Sequence, residues 1–189
     1  VTQFPKLNKE NPKLLFIGNF FWLQNVEAAA YLINKVFPKL HAQLPNAELI
    51  IAGQNGSTKL PKSDKPQIKI IDLKPDDEEQ VKNLYHSATL FIAPIYGPGG
   101  TRLKILASMA SGLPVVSTKT GVQGLDVQNK KHVLIAQNPD EFVACIIDVL
   151  HNENLYRIIQ QNAFQLAEEK YSWKAIADKL EKVYKGIMR

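Results

Sequence analysis

A chain of 189 residues with 45% apolar and 22% charged side chains can bury one core of ordinary size, which excludes a disordered or fibrous chain. The net charge of +5 suits an anionic small ligand, a membrane surface or nucleic acid and does not choose among them. The single cysteine, Cys145, excludes an internal disulfide framework, and no apolar run is long enough to span a bilayer. No signal peptide is visible, and an opening without Met at Val1 suggests a fragment or processed product.

Residues 1–13 are polar and Pro-containing, like a linker or entry segment. Leu14–Ile17 is a continuous apolar run suited to a buried strand, ended by Gly18 and Asn19. Asn25 is placed to cap a helix running to about Leu44, with Val26, Ala29, Ala30, Ile33, Val36, Phe37 and Leu40 on one face. Pro38 lacks a backbone donor, so a kink or early stop is expected there. The second strand is Glu48–Ala52, followed by Gly53 and a polar surface loop over 54–66. Ile68–Ile71 is the third strand, and Asp76 is read as the cap of a helix from Asp77 to about Ser87. Strands four, five and six are Leu90–Ala93, Val115–Ser117 and Val133–Ile135. Helices over 139–151, 154–169 and 172–188 complete the chain.

The stretch between strands four and five organises the rest. Tyr96, Gly97, Pro98, Gly99 and Gly100 break regular structure and let a ligand approach the backbone closely. From Thr101 onward Leu103, Leu106, Met109 and Ala110 recur at helical spacing, and Gly112 can cap the end. A helix leaving a glycine turn offers unpaired N–H groups and the positive end of its dipole. Arg102 and Lys104 are unfavourable there for the bare helix, and an anion is the simplest reason to keep them. The alternative is a solvated turn whose two basic side chains bend away.

Short apolar strands alternating with helices mean a parallel sheet covered on both faces. The expected fold is therefore α/β: a Rossmann-like, doubly wound parallel sheet of about six strands. Ligands of such sheets bind beyond the C-terminal strand ends. The turns Gly18–Asn19, Gly53–Gln54 and Tyr96–Gly100 all fall at such ends. Fold alone does not settle function, since a regulatory domain shares this architecture.

The chain resembles the C-terminal, donor-binding half of a GT-B glycosyltransferase, from the large retaining hexosyltransferase family (glycosyl transferases group 1). Five pieces carry the resemblance in order. They are Phe16–Asn19 followed by Trp22–Val26, then Pro45–Gly53, then Gly99–Leu106 with Met109–Thr118, then Gly121–Leu125, and finally Tyr171–Trp173. The likeness implies a nucleotide diphosphate sugar across the strand ends of a domain spanning 14–189, with 172–188 as its C-terminal helix. It implies a separate N-terminal acceptor domain outside this sequence, and hexose transfer with retained anomeric configuration.

By resemblance the diphosphate sits at Gly99, Gly100 and Thr101, beside Gly18 and Asn19. The family's first-strand loop carries an Arg and a Lys; here that loop has no cation, and Arg102 and Lys104 could supply the charge, Lys104 being the better placed. Asp72, Leu73 and Lys74 would flank the ribose and base, with Ala107 at the ribose position and Tyr96, Gly97 and Pro98 toward the sugar. Such enzymes need no bound metal and no further cofactor. The likeness points to polysaccharide building in the cytoplasm or at the inner face of a membrane, and leaves peripheral membrane association open.

One departure matters. The family's two Glu, eight positions apart, align with Gly99 and Ala107. A carboxylate accepting from two vicinal hydroxyls is the natural ribose clamp, and Ala107 cannot provide it. A degenerate, non-catalytic domain used for interaction therefore stays open, as does half of a nucleotide-sugar epimerase. A nucleic-acid binder is disfavoured by the lack of an aromatic-studded basic groove. Among the remaining candidates, Trp22 is expected to pack a sheet edge rather than stack on a ligand, and Cys145 to sit in the core. His41, His86, His132 and His151 lie on separate elements, which disfavours a metal site. Ser117, Thr118 and the Gly121–Gly124 turn read as structural.

Overall fold

A computed structural model describes residues 4–61, 63–97 and 102–187. The described residues form a six-stranded sheet in the order β3-β2-β1-β4-β5-β6, parallel at every pairing, with helices on both faces. Its strands are β1 (Lys13–Ile17), β2 (Glu48–Gly53), β3 (Ile68–Asp72), β4 (Leu90–Ala93), β5 (Val115–Ser117) and β6 (Leu134–Ile135). The helices are α1 (Leu23–Tyr31), α2 (Phe37–His41), α3 (Gly56–Lys59), α4 (Glu78–Ser87), α5 (Leu103–Ala110), α6 (Pro139–His151), α7 (Glu153–Leu166) and α8 (Trp173–Ile187). This is the Rossmann-like arrangement expected from the alternation of short apolar runs with amphipathic segments.

The strands are apolar because both faces are covered: every residue of β4 and β5 is buried, as are five of the six in β2. The edge strand β3 is more open, with Ile68 buried, Ile70 and Ile71 half-buried, and Lys69 and Asp72 exposed. Helix starts follow side-chain chemistry. Asn138 and Asn152 accept from the N–H groups of Glu141 and Leu155, each at 3.0 Å, and Pro139 occupies a first-turn position where no donor is needed.

Several elements differ from the sequence-based expectation, each for a local reason. Asn25 does not cap α1: Trp22 stands at that position, and Asn25 lies inside the first turn with its amide turned elsewhere. Pro38 neither stops nor sharply ends the segment. The preceding turn widens over Leu32–Val36, where the Phe37 N–H reaches back to the Leu32 carbonyl, and the helix then continues to His41. The wider turn shifts the ladder past the donor that proline lacks. Asp77, not Asp76, caps α4 by accepting from the Gln80 N–H. The 54–66 loop contains the single-turn helix α3.

Residues 4–7, in the stretch read as a linker or entry segment, dock on the body. The Phe4 ring meets Phe164 edge-on at 5.0 Å, and Gln160 donates to the carbonyls of Pro5 (2.9 Å) and Gly112 (2.8 Å). At the other terminus, α8 buries none of its fifteen residues. Trp173, Ile176, Leu180, Val183, Tyr184 and Ile187 form an exposed apolar stripe along it.

Two backbones meet at the strand ends. Gly53, at φ +148°, passes so close to the end of β1 that a Cβ there would lie 1.7 Å from the Gly18 carbonyl oxygen. Gly53→Ala should therefore cost about 3 kcal/mol or more, by clash and strain together. Gly124→Ala meets open space and bears only the strain of φ +86°, about 1 kcal/mol. Urea denaturation of both variants checks this; equal losses would mean that the β1–β2 contact yields.

Candidate functional site

In a sheet of this order the strand connections diverge to opposite faces between β1 and β4, which opens a crevice above their C-terminal ends. A cavity of about 380 Å³ lies there. The loop after β1 contributes Gly18 and Asn19, and the end of β2 contributes Gly53 and Gln54. Leu73, Lys74 and Pro75 follow β3, Val81 and Tyr85 come from α4, and α5 supplies Leu103, Lys104 and Ala107. Two larger grooves, of about 800 and 820 Å³, are lined in part by Phe4, Pro5, Lys6 and Asn8. One of them reaches Thr89, at the N-terminal end of β4, away from where such sheets bind ligands.

The loop after β1 is held in shape by its own side chains. Gly18 N–H donates to the Ala52 carbonyl (3.0 Å), and Asn19 Nδ2 donates to Gln54 Oε1 (2.9 Å). Asn19 Oδ1 accepts from the Phe21 N–H at 2.9 Å. Phe20 is thereby swallowed by the core while Phe21, Trp22 and Leu23 stand in solvent. Trp22 is 69% exposed, so it does not pack a sheet edge as expected.

Lys104 is the charged group that α5 brings into the cavity. Its ammonium donates to Asn25 Oδ1 and lies 4.9 Å from the centre of the Phe16 ring. Burial pushes it down from 10.5 to about 8, helped by the nearby Arg102 guanidinium. None of the described lining residues is acidic, so this charge has been moved out of water without a counter-ion. Such an arrangement costs stability unless an anion comes to sit beside the charge.

The other expected site residues are distributed unevenly. Gly18, Asn19, Leu73, Lys74, Lys104 and Ala107 share the cavity. Arg102 directs an Nη2 donor to the Thr120 carbonyl at 2.8 Å, tying the start of α5 to the turn after β5. Asp72 does not line the cavity: its carboxylate accepts from the Ser57 N–H (3.0 Å) and from the Ser57 hydroxyl, capping α3. These bonds to Ser57 hold it below the usual carboxylate range. Tyr96 is 45% exposed, but its hydroxyl is engaged, donating to the Gln137 carbonyl (2.9 Å) and bonded to the Tyr31 hydroxyl (3.0 Å). Desolvation, then Tyr31 and Glu141, raise it. Gly97 lies against Gln24, where a Cβ would come within 3.1 Å. Pro98, Gly99, Gly100 and Thr101 lie outside the described residues.

Sequence reasoning placed Gln54 in a strand-end turn without giving it a role, and missed Tyr85 and the role of Asn25. None carries a sequence signal of its own, since each matters through a partner on another element. Ser117 and Thr118 are structural, donating to the carbonyls of Ala93 and Ile95, and a Cβ at Gly121 would strike the Ser117 hydroxyl at 2.2 Å. Cys145 is only partly buried, packed against the core. Among the described residues no group of three or more His, Cys, Asp or Glu stands together.

The buried ammonium has a pH signature. The folded chain releases this proton near pH 8 and the unfolded chain near 10.5. Below pH 8 both states are protonated and the full cost is present; between 8 and 10.5 only the unfolded state holds the proton, so stability rises with pH. Lys104→Met should accordingly raise stability at pH 7 by on the order of 2 kcal/mol, less than the full shift because solvent reaches part of the side chain and the Asn25 bond is lost. That advantage should shrink steadily from pH 8 to 10.5. Denaturation of both proteins across this range checks it; a constant difference would mean the ammonium is fully solvated.

With this geometry in place, comparison with known proteins is direct. The family model described as "Glycosyl transferases group 1" matches residues 11–152. An uncharacterized 44.6 kDa protein in the cps region of Klebsiella pneumoniae is 30% identical over 181 residues, covering 92% of this chain and 46% of its own length. The chain thus spans less than half of that relative. HepE of Anabaena, solved in complex with UDP, superposes with a TM-score of 0.72 at 17% identity, over 94% of this chain and 49% of its own. The C-terminal domain of a group 1 family glycosyl transferase, LpcC of Francisella tularensis, gives a TM-score of 0.61 at 15% identity, over 91% of this chain and 97% of its own. At such identities the structural likeness speaks for the fold, and the match to the family model speaks for descent: the chain is a GT-B-type Rossmann domain belonging to the glycosyl transferases group 1 family.

Proposed function

We propose that this chain is the donor-binding half of a retaining hexosyltransferase and holds a nucleoside diphosphate sugar in the crevice between β1 and β4. The observation that carries the reading is the cavity itself. It is apolar at the α4 side, where Leu73, Pro75, Val81 and Tyr85 suit a base, and cationic at the α5 side, where Lys104 suits a diphosphate. The backbone of Gly18 and Asn19 lies on the same side as Lys104 and offers a close approach. Gly99, Gly100 and Thr101 would complete the diphosphate site. UDP in the HepE crystal supports a nucleotide as the ligand class.

The role assigned to this half is to hold the leaving group and spread the charge that develops on it through Lys104 and the start of α5. In a longer protein a second domain would bring the acceptor over the strand ends. The exposed Phe21, Trp22, Leu23 and Leu103 give that domain an apolar rim to meet. Ala107 favours a second reading, a domain that has lost its grip on ribose, because it places a methyl group at the cavity wall where a carboxylate would clamp two hydroxyls.

Titration with UDP and ADP tests the proposal. Lys104→Ala should weaken binding by about 1–2 kcal/mol, as for loss of one charge-assisted bond, and more so at low salt. Unchanged affinity would remove the diphosphate from this end of the cavity.

Ala107→Glu separates the two readings. A new charged acceptor is worth about 1.5–3 kcal/mol at best against two hydroxyls. Repulsion from the nearby diphosphate takes back part, leaving a gain of about a few-fold. The gain should vanish with 2′-deoxyribonucleotides. A gain that persists with the deoxy ligand, or none at all, would favour the degenerate domain.

A further inference from the structure

The Lys104 ammonium is partnered by a neutral amide rather than by a carboxylate, and the surrounding backbone is moulded to that amide. Asn25 Oδ1 accepts from Lys104 Nζ, and Asn25 Nδ2 donates to the Asn19 carbonyl at 2.7 Å. Both ends of one side chain are therefore used, one on α5 and one on the loop after β1. A Cβ on Gly18 would come within 2.8 Å of Asn25 Cγ, so the turn has room for the amide only because residue 18 is glycine. Beneath the ammonium lies the Phe16 ring, which attracts a cation without neutralising it.

We propose that Asn25 is a positioning residue that aims the Lys104 ammonium into the cavity and leaves its charge uncompensated for an anionic ligand. The inference rests on the donor-binding reading above and assigns that site a residue which touches no ligand. The difference between Asn and Asp is what matters here. An aspartate would pair with Lys104 at low dielectric and satisfy it, so an incoming diphosphate would first have to break that pair. The amide offers an uncharged acceptor and a dipole, enough to fix the rotamer of a long side chain and reduce the entropy lost on binding. No other described group lining the cavity competes for the role. The titratable groups facing Lys104 are Arg102 on its own helix, Lys74 after β3 and Tyr85 on α4, and none is an acid.

The test uses Asn25→Asp and Asn25→Ala, with UDP and inorganic pyrophosphate as probes. Affinity is read by calorimetry, and the Lys104 titration by NMR of its ε-methylene, assigned with Lys104→Ala. Asn25→Asp should weaken both probes by about tenfold or more and move the Lys104 midpoint upward, because the charge now has a partner. Asn25→Ala should weaken them less, by about three- to tenfold, and leave the midpoint low or lower it. A residue serving only to fold the loop would not send that midpoint in opposite directions. Wild-type affinity in Asn25→Asp, or midpoints moving the same way in both variants, would overturn the role of Asn25. Failure of the wild-type chain to bind either probe would instead overturn the donor-binding reading itself. Circular dichroism of each variant shows that the comparison is made on folded protein, and the alanine variant carries the test should the aspartate variant not fold.

Discussion

The pairing of β1 with β4 is the contact on which the rest of the domain depends. Leu14 lies beside Leu90, and Leu15 beside Phe91, although 76 residues separate each pair. On one side of this seam the chain has wound outward through β2 to β3, and on the other it winds through β5 to β6. The crevice exists because the two halves turn away from each other there. The described residues argued to matter for binding come from elements on either side of this seam: the loop after β1 with α1, the loops after β2 and β3 with α4, and α5 after β4.

On the proposed reading, stability and ligand recognition oppose each other at that seam. A half-buried lysine without an acid is the kind of group that folding alone would replace with methionine or leucine. Its neighbours soften the cost without removing it: an aromatic face below, an amide beside, and water on one side. What keeps the charge labile is also what gives it value to an anion, since a fully paired ammonium has little left to offer. The methyl group of Ala107 on the same helix works the other way, removing a polar contact from the same cavity wall.

Much of this was legible in the residue order, and what was not follows a pattern. Strand β4 and helix α6 were readable to the residue because each has a local cause: four consecutive apolar side chains in one, an Asn-Pro start in the other. Lys104 was preferred over Arg102 for the cavity, but its spacing alone did not decide between them; the fold places it in the lining. Asn25 was misread because an asparagine before an apolar stripe is ordinarily a cap, and only the fold reveals a lysine 79 positions away that claims it. Asp72 was misread for a related reason: a carboxylate at a strand end looks available until the single turn of α3 is seen to need it. Trp22 was expected to pack a sheet edge, but in this loop it is Phe20 that is buried and Trp22 that stands exposed. Local chemistry is written locally; partnerships across the sheet are not.

The last helix shows what burial does for the rest of the molecule by lacking it. A fifteen-residue helix is near the length at which an isolated helix in water is marginal, and α8 has no buried side chain to add to its backbone bonds. Its start is capped by Ser172, whose hydroxyl accepts from the Ala175 N–H and whose carbonyl accepts from the Ile176 N–H. Amide protons beyond Ile176 should therefore exchange with solvent far faster than those of β1 or β4, whose release requires opening the sheet. The exchange rate along this one helix becomes a gauge of whatever covers its apolar stripe, rising or falling with that contact while the core stays silent.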